Sequence, residues 1–194
     1  MAKLGQEFYN RDTVEVARSL LGKELVRVWH GEDLVCRITE TEAYVGRMDK
    51  ACHAYGYRRT GRTETLFAPP GTAYIYLIYG MYCCLNFVTE PEGEPCAVLI
   101  RGAAPVQGGE RMARGRFGCS PGEMTAYQKK HFLNGPGKLC MALHLTREQN
   151  GLDLTGSELY VRDSGCVPHQ IYAGRRIGID YAEEAAEFPW RFWI

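Results

Sequence analysis

Hydrophobic and polar positions along the chain follow two different periods. Val14, Ala17, Leu20 and Leu21 fall at helical spacing, with Asn10 and Asp12 ahead as N-cap candidates and Gly22 behind as a stop. That spacing predicts a first helix. Residues 24–29 then read as a strand, 31–33 as a polar turn and 34–44 as a second strand of period two. In this second strand the even positions are Leu34, Cys36, Ile38, Glu40, Glu42 and Tyr44, and the odd ones are Val35, Arg37, Thr39, Thr41 and Ala43. Period two puts the even set on one face, apolar at first and carrying two carboxylates further on.

Residues 74–88, YIYLIYGMYCCLNFV, hold the aromatic and β-branched side chains of two more strands. Gly80-Met81 between them fits a two-residue type II′ turn with glycine first. Such a turn carries Tyr79, Met81 and Tyr82 to the hairpin tip, where they either fold back onto the core or meet a partner that accepts a wedge. After the acidic turn 90–95, residues 96–100 are almost wholly apolar and read as a buried strand ended by Arg101. Asn134 to Leu139, NGPGKL, precedes the helical pattern Leu139, Ala142, Leu143. Gly and Pro there leave backbone N–H groups aimed at an anion, or simply start the helix; Walker spacing is lacking. RRIGID, 175–180, reads as a short strand, and PWRFWI closes the chain with aromatic packing.

Composition narrows the class. The chain has 194 residues, 45% of them apolar, which suits a single domain spanning 1–194 with a substantial core. Its 23 basic and 23 acidic side chains cancel, and a zero total argues against a bulk cationic field. The distribution argues otherwise. Residues 50–147 hold 12 basic and 6 acidic side chains, whereas the flanks hold 11 and 17. The eight cysteines show no Cys-x-x-Cys or Cys/His ligand spacing and no secretory segment precedes them, so they read as small reduced hydrophobes. Residues 66–89 lack charge, but prolines, glycines and tyrosines break any run near the ~20 apolar residues that span a bilayer. A soluble, cytoplasmic protein without a metal site is the expectation.

Candidate chemistry centres on the two glutamates. An acid that follows an apolar row either caps the core at a wet edge or lines a cleft with a raised pKa. Glu40 is expected to pair with an arginine; Glu42, beside Tyr44, is either a structural acid of the same kind or a catalytic carboxylate. His53 lies in a basic loop, 47–64, with Arg58, Arg59 and Arg62. A lone histidine there is either structural or functional, and the arginines suit phosphate contacts or plain solvation.

Taken together, ITETEAYVG (38–46), YIYLIYGMYCCLN (74–86), VLIRGAAP (98–105), GPGKLCMAL (135–143) and RRIGI (175–179) resemble the alkyladenine, or mammalian-type 3-methyladenine, DNA glycosylase family. The five motifs occur in the same order. The resemblance implies an α+β fold: a single compact domain with a curved, mostly antiparallel sheet, surrounding helices and a protruding β-hairpin. It implies a monofunctional base-excision repair enzyme that flips alkylated or deaminated purines out of duplex DNA and hydrolyses the N-glycosidic bond. Glu42 then corresponds to the water-activating base, with Arg101 and the backbone carbonyl of Ile177 holding the water. Tyr44 stacks on one side of the flipped base, with His53 and Tyr76 on the other, and Asn86 discriminates against the exocyclic amine of guanine. Tyr79 fills the gap in the duplex, flanked by Met81 and Tyr82, and Arg58 and Lys138 contact the backbone. The family needs no cofactor and no lysine matches a Schiff-base nucleophile. The implied partner is double-stranded DNA containing damaged purines, with no membrane association and a monomeric protein. Two other classes compete: a lesion-sensing DNA binder without catalysis, and an RNA-directed protein using the same aromatics.

Overall fold

The computed structural model describes residues 1–194 and is built around one antiparallel sheet of nine strands. In chain order these are β1 (Ala2–Lys3), β2 (Glu24–Trp29), β3 (Glu32–Val45), β4 (Ala73–Ile78), β5 (Tyr82–Thr89), β6 (Cys96–Gln107), β7 (Leu159–Asp163), β8 (Tyr172–Gly174) and β9 (Arg191–Trp193). They pair as β1-β7-β2-β3-β6-β5-β4, with β9 against β3 and β8 against β9. The helices are α1 (Gln6–Tyr9), α2 (Thr13–Ser19), α3 (Gly109–Phe117), α4 (Ala126–Lys130) and α5 (Pro136–Ala142). This is the α+β arrangement expected. No helix is long and apolar enough to cross a membrane.

Helix α2 starts where the sequence places it. The Asp12 carboxylate accepts the N–H groups of Val14 and Glu15 at 2.9 and 3.0 Å, a cap worth about 1 kcal/mol. Val16, Ala17 and Leu20 are fully buried against the sheet, and Gly22 turns the chain with φ +83°. The main core joins them to Leu34, Ile38, Leu85, Phe87, Ile100 and Leu139.

The pairing of β3 with β6 breaks the simple alternation. Ile38 pairs with Ala103, Glu40 with Gly102 and Thr41 with Ile100, so Thr39 is extra on β3 and Arg101 is extra on β6. Each is a β-bulge, and the two compensate one another in register. Each also inverts which parity faces the core. Leu34, Cys36 and Ile38 fill the main core before the bulge; beyond it Ala43 takes that place, and the buried Thr41 hydroxyl donates to the Ala17 carbonyl at 2.8 Å. Glu42 and Tyr44 therefore share a face, as expected, but it is the face opposite Leu34, Cys36 and Ile38.

Three further expectations change. Arg101 does not end its strand, because β6 continues to Gln107 and carries Arg101 at the bulge. The hairpin loop has three residues, since Ile78 pairs with Tyr82. Its left-handed residues are Tyr79 (φ +53°) and Gly80 (φ +70°), with Met81 N–H donating to the Ile78 carbonyl, the positive-φ pair of a type I′ turn rather than a II′ turn at Gly80-Met81. Residues 175–180 form no strand; an irregular segment there buries Arg176.

Candidate active site

Strand β3 is central to the sheet at Glu42, paired with β6 on one edge and β9 on the other. Its carboxylate is wholly buried. The Tyr44 hydroxyl donates to Oε2 at 2.7 Å, the backbone N–H of Ile177 donates to Oε1 at 2.9 Å, and Arg101 Nε stands 3.6 Å from Oε1. Burial raises the Glu42 pKa above the ordinary carboxylate range, while Arg101, the Tyr44 hydroxyl and the Ile177 N–H pull it back down. The carboxyl thus sits in a desolvated place with donors ready for its anion. Glu40 is different. Its Oε1 accepts from Arg101 at 3.1 Å and Arg191 at 2.6 Å, the arginine pairing expected of it.

Beside Glu42 the same sheet face opens into a narrow aromatic pocket lined by Tyr44, His53, Leu66, Tyr74, Tyr76 and Asn86 among others. Its free volume of about 20 Å³ holds roughly one water. The His53 ring closes it edge-on against Tyr76, centroids 4.5 Å apart and planes at 81°. His53 Nδ1 lies 3.1 Å from the Tyr74 hydroxyl and Nε2 lies 3.5 Å from Arg62 Nη2. A guanidinium has only protons to offer, so Nε2 is the acceptor and Nδ1 carries the proton. Burial first, and Arg62 second, push the His53 pKa down to about 4, leaving the ring neutral. The Asn86 side-chain NH₂ donates to the Tyr74 and Cys84 carbonyls at 3.1 and 3.3 Å, which locks the amide in one orientation.

The hairpin tip does not fold back onto the core. Tyr79 is 82% exposed, Met81 67% and Tyr82 40%. A tyrosine with positive φ costs about 1–2 kcal/mol, and such strain concentrates at working sites. A groove of about 540 Å³ separates the tip from α5 and is lined by Tyr79, Tyr82, Arg101, Arg116, Lys138 and Ile177. Lys138 Nζ is steadied by Asn134 Oδ1 at 2.9 Å. On the far side of β4 lies a broader groove with Arg62 and Arg147. Arg58 is exposed, lines neither groove and has no ion-pair partner, whereas Arg59 pairs with Glu64.

Comparison with known proteins decides the family. A family model described as methylpurine-DNA glycosylase matches residues 7–194. The chain belongs to the methylpurine-DNA glycosylase family. A relative from Clostridium perfringens (strain 13 / Type A) is 53% identical over 99% of this chain and 95% of its own, and carries the name "Putative 3-methyladenine DNA glycosylase". Relatives of the same name from Alkaliphilus oremlandii and Desulfitobacterium hafniense are each 50% identical, covering 99% and 100% of this chain and 95% and 96% of theirs. The protein is accordingly a DNA glycosylase, a hydrolase of N-glycosyl bonds.

In this glycosylase Glu42, Tyr44, Arg101 and Ile177 come together in one cluster, and His53, Tyr76 and Asn86 line the adjoining pocket. Tyr79, Met81 and Tyr82 stand at the tip with Lys138 across the groove, and Arg58 stands apart. One contact adds to the sequence reading: Ile177 also meets Glu42 through its N–H, and its carbonyl accepts no hydrogen bond within the protein. Sequence reasoning missed the pair beneath the pocket. Arg176 and Asp49, both with fully buried side chains, are joined at 2.5 and 2.8 Å, and Arg176 also donates to the carbonyls of Ala43 and Ala185. Its guanidinium lies over the Tyr44 ring, 4.7 Å from the centroid. The one sequence signal for it was the second of two adjacent arginines leading into the apolar end of RRIGI, which reads equally well as a solvated strand end.

Proposed function

We propose that this glycosylase removes alkylated or deaminated purines from duplex DNA by monofunctional hydrolysis, leaving an abasic site. The observation that carries the reading is Glu42: a buried carboxylate held by two donors, faced by Arg101, at the edge of an aromatic pocket. The exposed tip, Tyr79 with Met81 and Tyr82, enters the duplex and occupies the place of the displaced nucleotide. Lys138 and Arg58 take phosphates. The flipped base enters the pocket as His53 swings off Tyr76, and stacks between Tyr44 and the His53–Tyr76 wall.

Glu42 takes a proton from a water held by Arg101 and the free Ile177 carbonyl. The water oxygen bonds to the anomeric carbon as the carbon–nitrogen bond breaks, and the base leaves with the electron pair. A cationic purine such as 3-methyladenine departs neutral; hypoxanthine must gain a proton as it leaves. Asn86, unable to swing aside, excludes an exocyclic amine by its bulk. No lysine lines the pocket, and Lys138 in the groove is tied to Asn134, so hydrolysis rather than Schiff-base chemistry follows. The chain acts as a monomer in a bacterial cytoplasm, on double-stranded DNA, and uses no cofactor.

The test is incubation with duplexes carrying one hypoxanthine, 1,N6-ethenoadenine or 3-methyladenine, then alkali to reveal abasic sites. Release is expected from at least one. Glu42→Gln is expected to keep lesion binding and lose about 10²–10⁴-fold in release. No abasic sites with any lesion would end the reading, and equal release by the variant would remove Glu42 from its role.

A further inference from the structure

Both aromatic walls of the pocket carry an arginine. Arg176 Cζ stands 4.7 Å from the Tyr44 ring centroid and Arg62 Cζ stands 5.3 Å from that of Tyr76. Neither arginine lines the pocket itself, so each guanidinium meets its ring from outside. Stacking a purine needs no such backing. A cation on one side of an aromatic ring draws its π-electron density toward itself and makes the ring a weaker partner for a second cation. Like charges across so short a span repel as well. A neutral purine feels neither penalty as it is taken up and held, before the proton it needs for departure arrives.

The two arginines differ in strength. Arg176 is paired with Asp49, which offsets part of its charge. Arg62 is exposed and has no carboxylate partner, and its Nη2 reaches Nε2 of His53, another aromatic of the pocket, at 3.5 Å. Every wall that would touch the base is therefore in contact with a guanidinium, directly or through its neighbour. We propose that Arg62, seconded by Arg176, is a specificity-determining residue that tilts the pocket toward neutral purines and away from cationic alkylpurines. The inference rests on the glycosylase reading above. It also makes chemical sense, because a cationic base leaves readily even when weakly held, whereas a neutral one needs the grip.

The experiment compares wild type with Arg62→Gln on two substrates, 3-methyladenine in methylated duplex and hypoxanthine in a matched duplex. It reads the ratio of their second-order release constants at about pH 8, where a histidine is neutral with or without Arg62. Arg62→Gln is expected to raise the 3-methyladenine to hypoxanthine ratio roughly three- to tenfold, the scale of one cation–aromatic contact. Arg62→Lys, which keeps the charge, is expected to stay near wild type. A phosphate contact or a purely structural role would lower both constants together and leave the ratio unmoved. An unmoved ratio, or one shifted toward hypoxanthine, overturns the proposal. Replacing the buried pair as a unit, Arg176→Met with Asp49→Leu, is expected to shift the ratio the same way by less; a shift in the opposite direction removes Arg176 from it. Wild type that releases neither base defeats the glycosylase reading itself, which is a different result from release of both with an unmoved ratio.

Discussion

Tyr44→Phe isolates one hydrogen bond in the proposed mechanism. The change removes the hydroxyl that donates to Glu42 Oε2 at 2.7 Å and keeps the ring that stacks on Arg176. A bond from a neutral donor to a buried carboxylate contributes about 1.5–3 kcal/mol to the ionised form. Two influences remain on the anion, the Ile177 N–H at 2.9 Å and Arg101 at 3.6 Å, so the carboxylate persists but is harder to form. Burial already raises the Glu42 pKa, and losing a donor raises it further. Because the base works ionised, the acid limb of activity moves to higher pH. Single-turnover release of hypoxanthine from about pH 5 to 9 is expected to show a loss of roughly ten- to hundredfold on the acid side, closing as pH rises. Stability gives a second reading of the same bond. A carboxyl with a raised folded-state pKa stabilises the fold most when protonated, and that contribution is lost as pH rises through the folded-state value. Urea midpoints of Tyr44→Phe and wild type should therefore converge in acid and separate above neutrality, the variant being weaker. An acid limb that stays in place, or a rate loss uniform across pH, would refute the argument and leave the hydroxyl with no part in tuning Glu42.

Other outcomes follow from the same geometry. Tyr79→Gly relieves a left-handed residue and should leave the melting temperature equal to or above that of wild type while base release from duplex falls; a clear loss of stability would mean the tip packs on the core after all. Arg176→Leu leaves Asp49 buried and unpaired, and urea denaturation should show a loss of about 3–5 kcal/mol. His53, pushed down to about 4, should show no imidazole titration by NMR near its ordinary 6.5. Its contribution to stability is complete above 6.5 and is lost as pH falls from there toward 4; Arg62→Gln should move the midpoint upward.

Much of this molecule is local and so was legible in the chain. Asp12 caps α2 because a carboxylate ahead of an apolar helical stripe has free N–H groups to accept, whatever else the chain does. Glycine, tyrosine and β-branched residues at 74–88 specify a hairpin through turn and strand chemistry alone and carry Tyr79 and Met81 to its tip, although only the fold shows that tip exposed. Glu42 and Tyr44 stay together because both lie beyond the bulge, where period two holds without interruption.

What the chain alone left open depends on partners far along it. The side of the sheet that Glu42 faces was decided at Thr39 and Arg101, 62 positions apart, where two strands each accommodate one extra residue, and no local period carries that information. The same pairing lengthens β6 and sets Arg101 beside both glutamates rather than at a strand end. Ile177 reaches Glu42 across 135 positions, and Arg176 finds Asp49 across 127. A buried charge requires a partner, and only the folded chain chooses which one. Residue types and short-range geometry thus put Glu42 beside Tyr44 and carried Tyr79 to a hairpin tip, and the family resemblance supplied the roles proposed for them; tertiary pairing set the donors, the opposing cations and the face that Glu42 occupies.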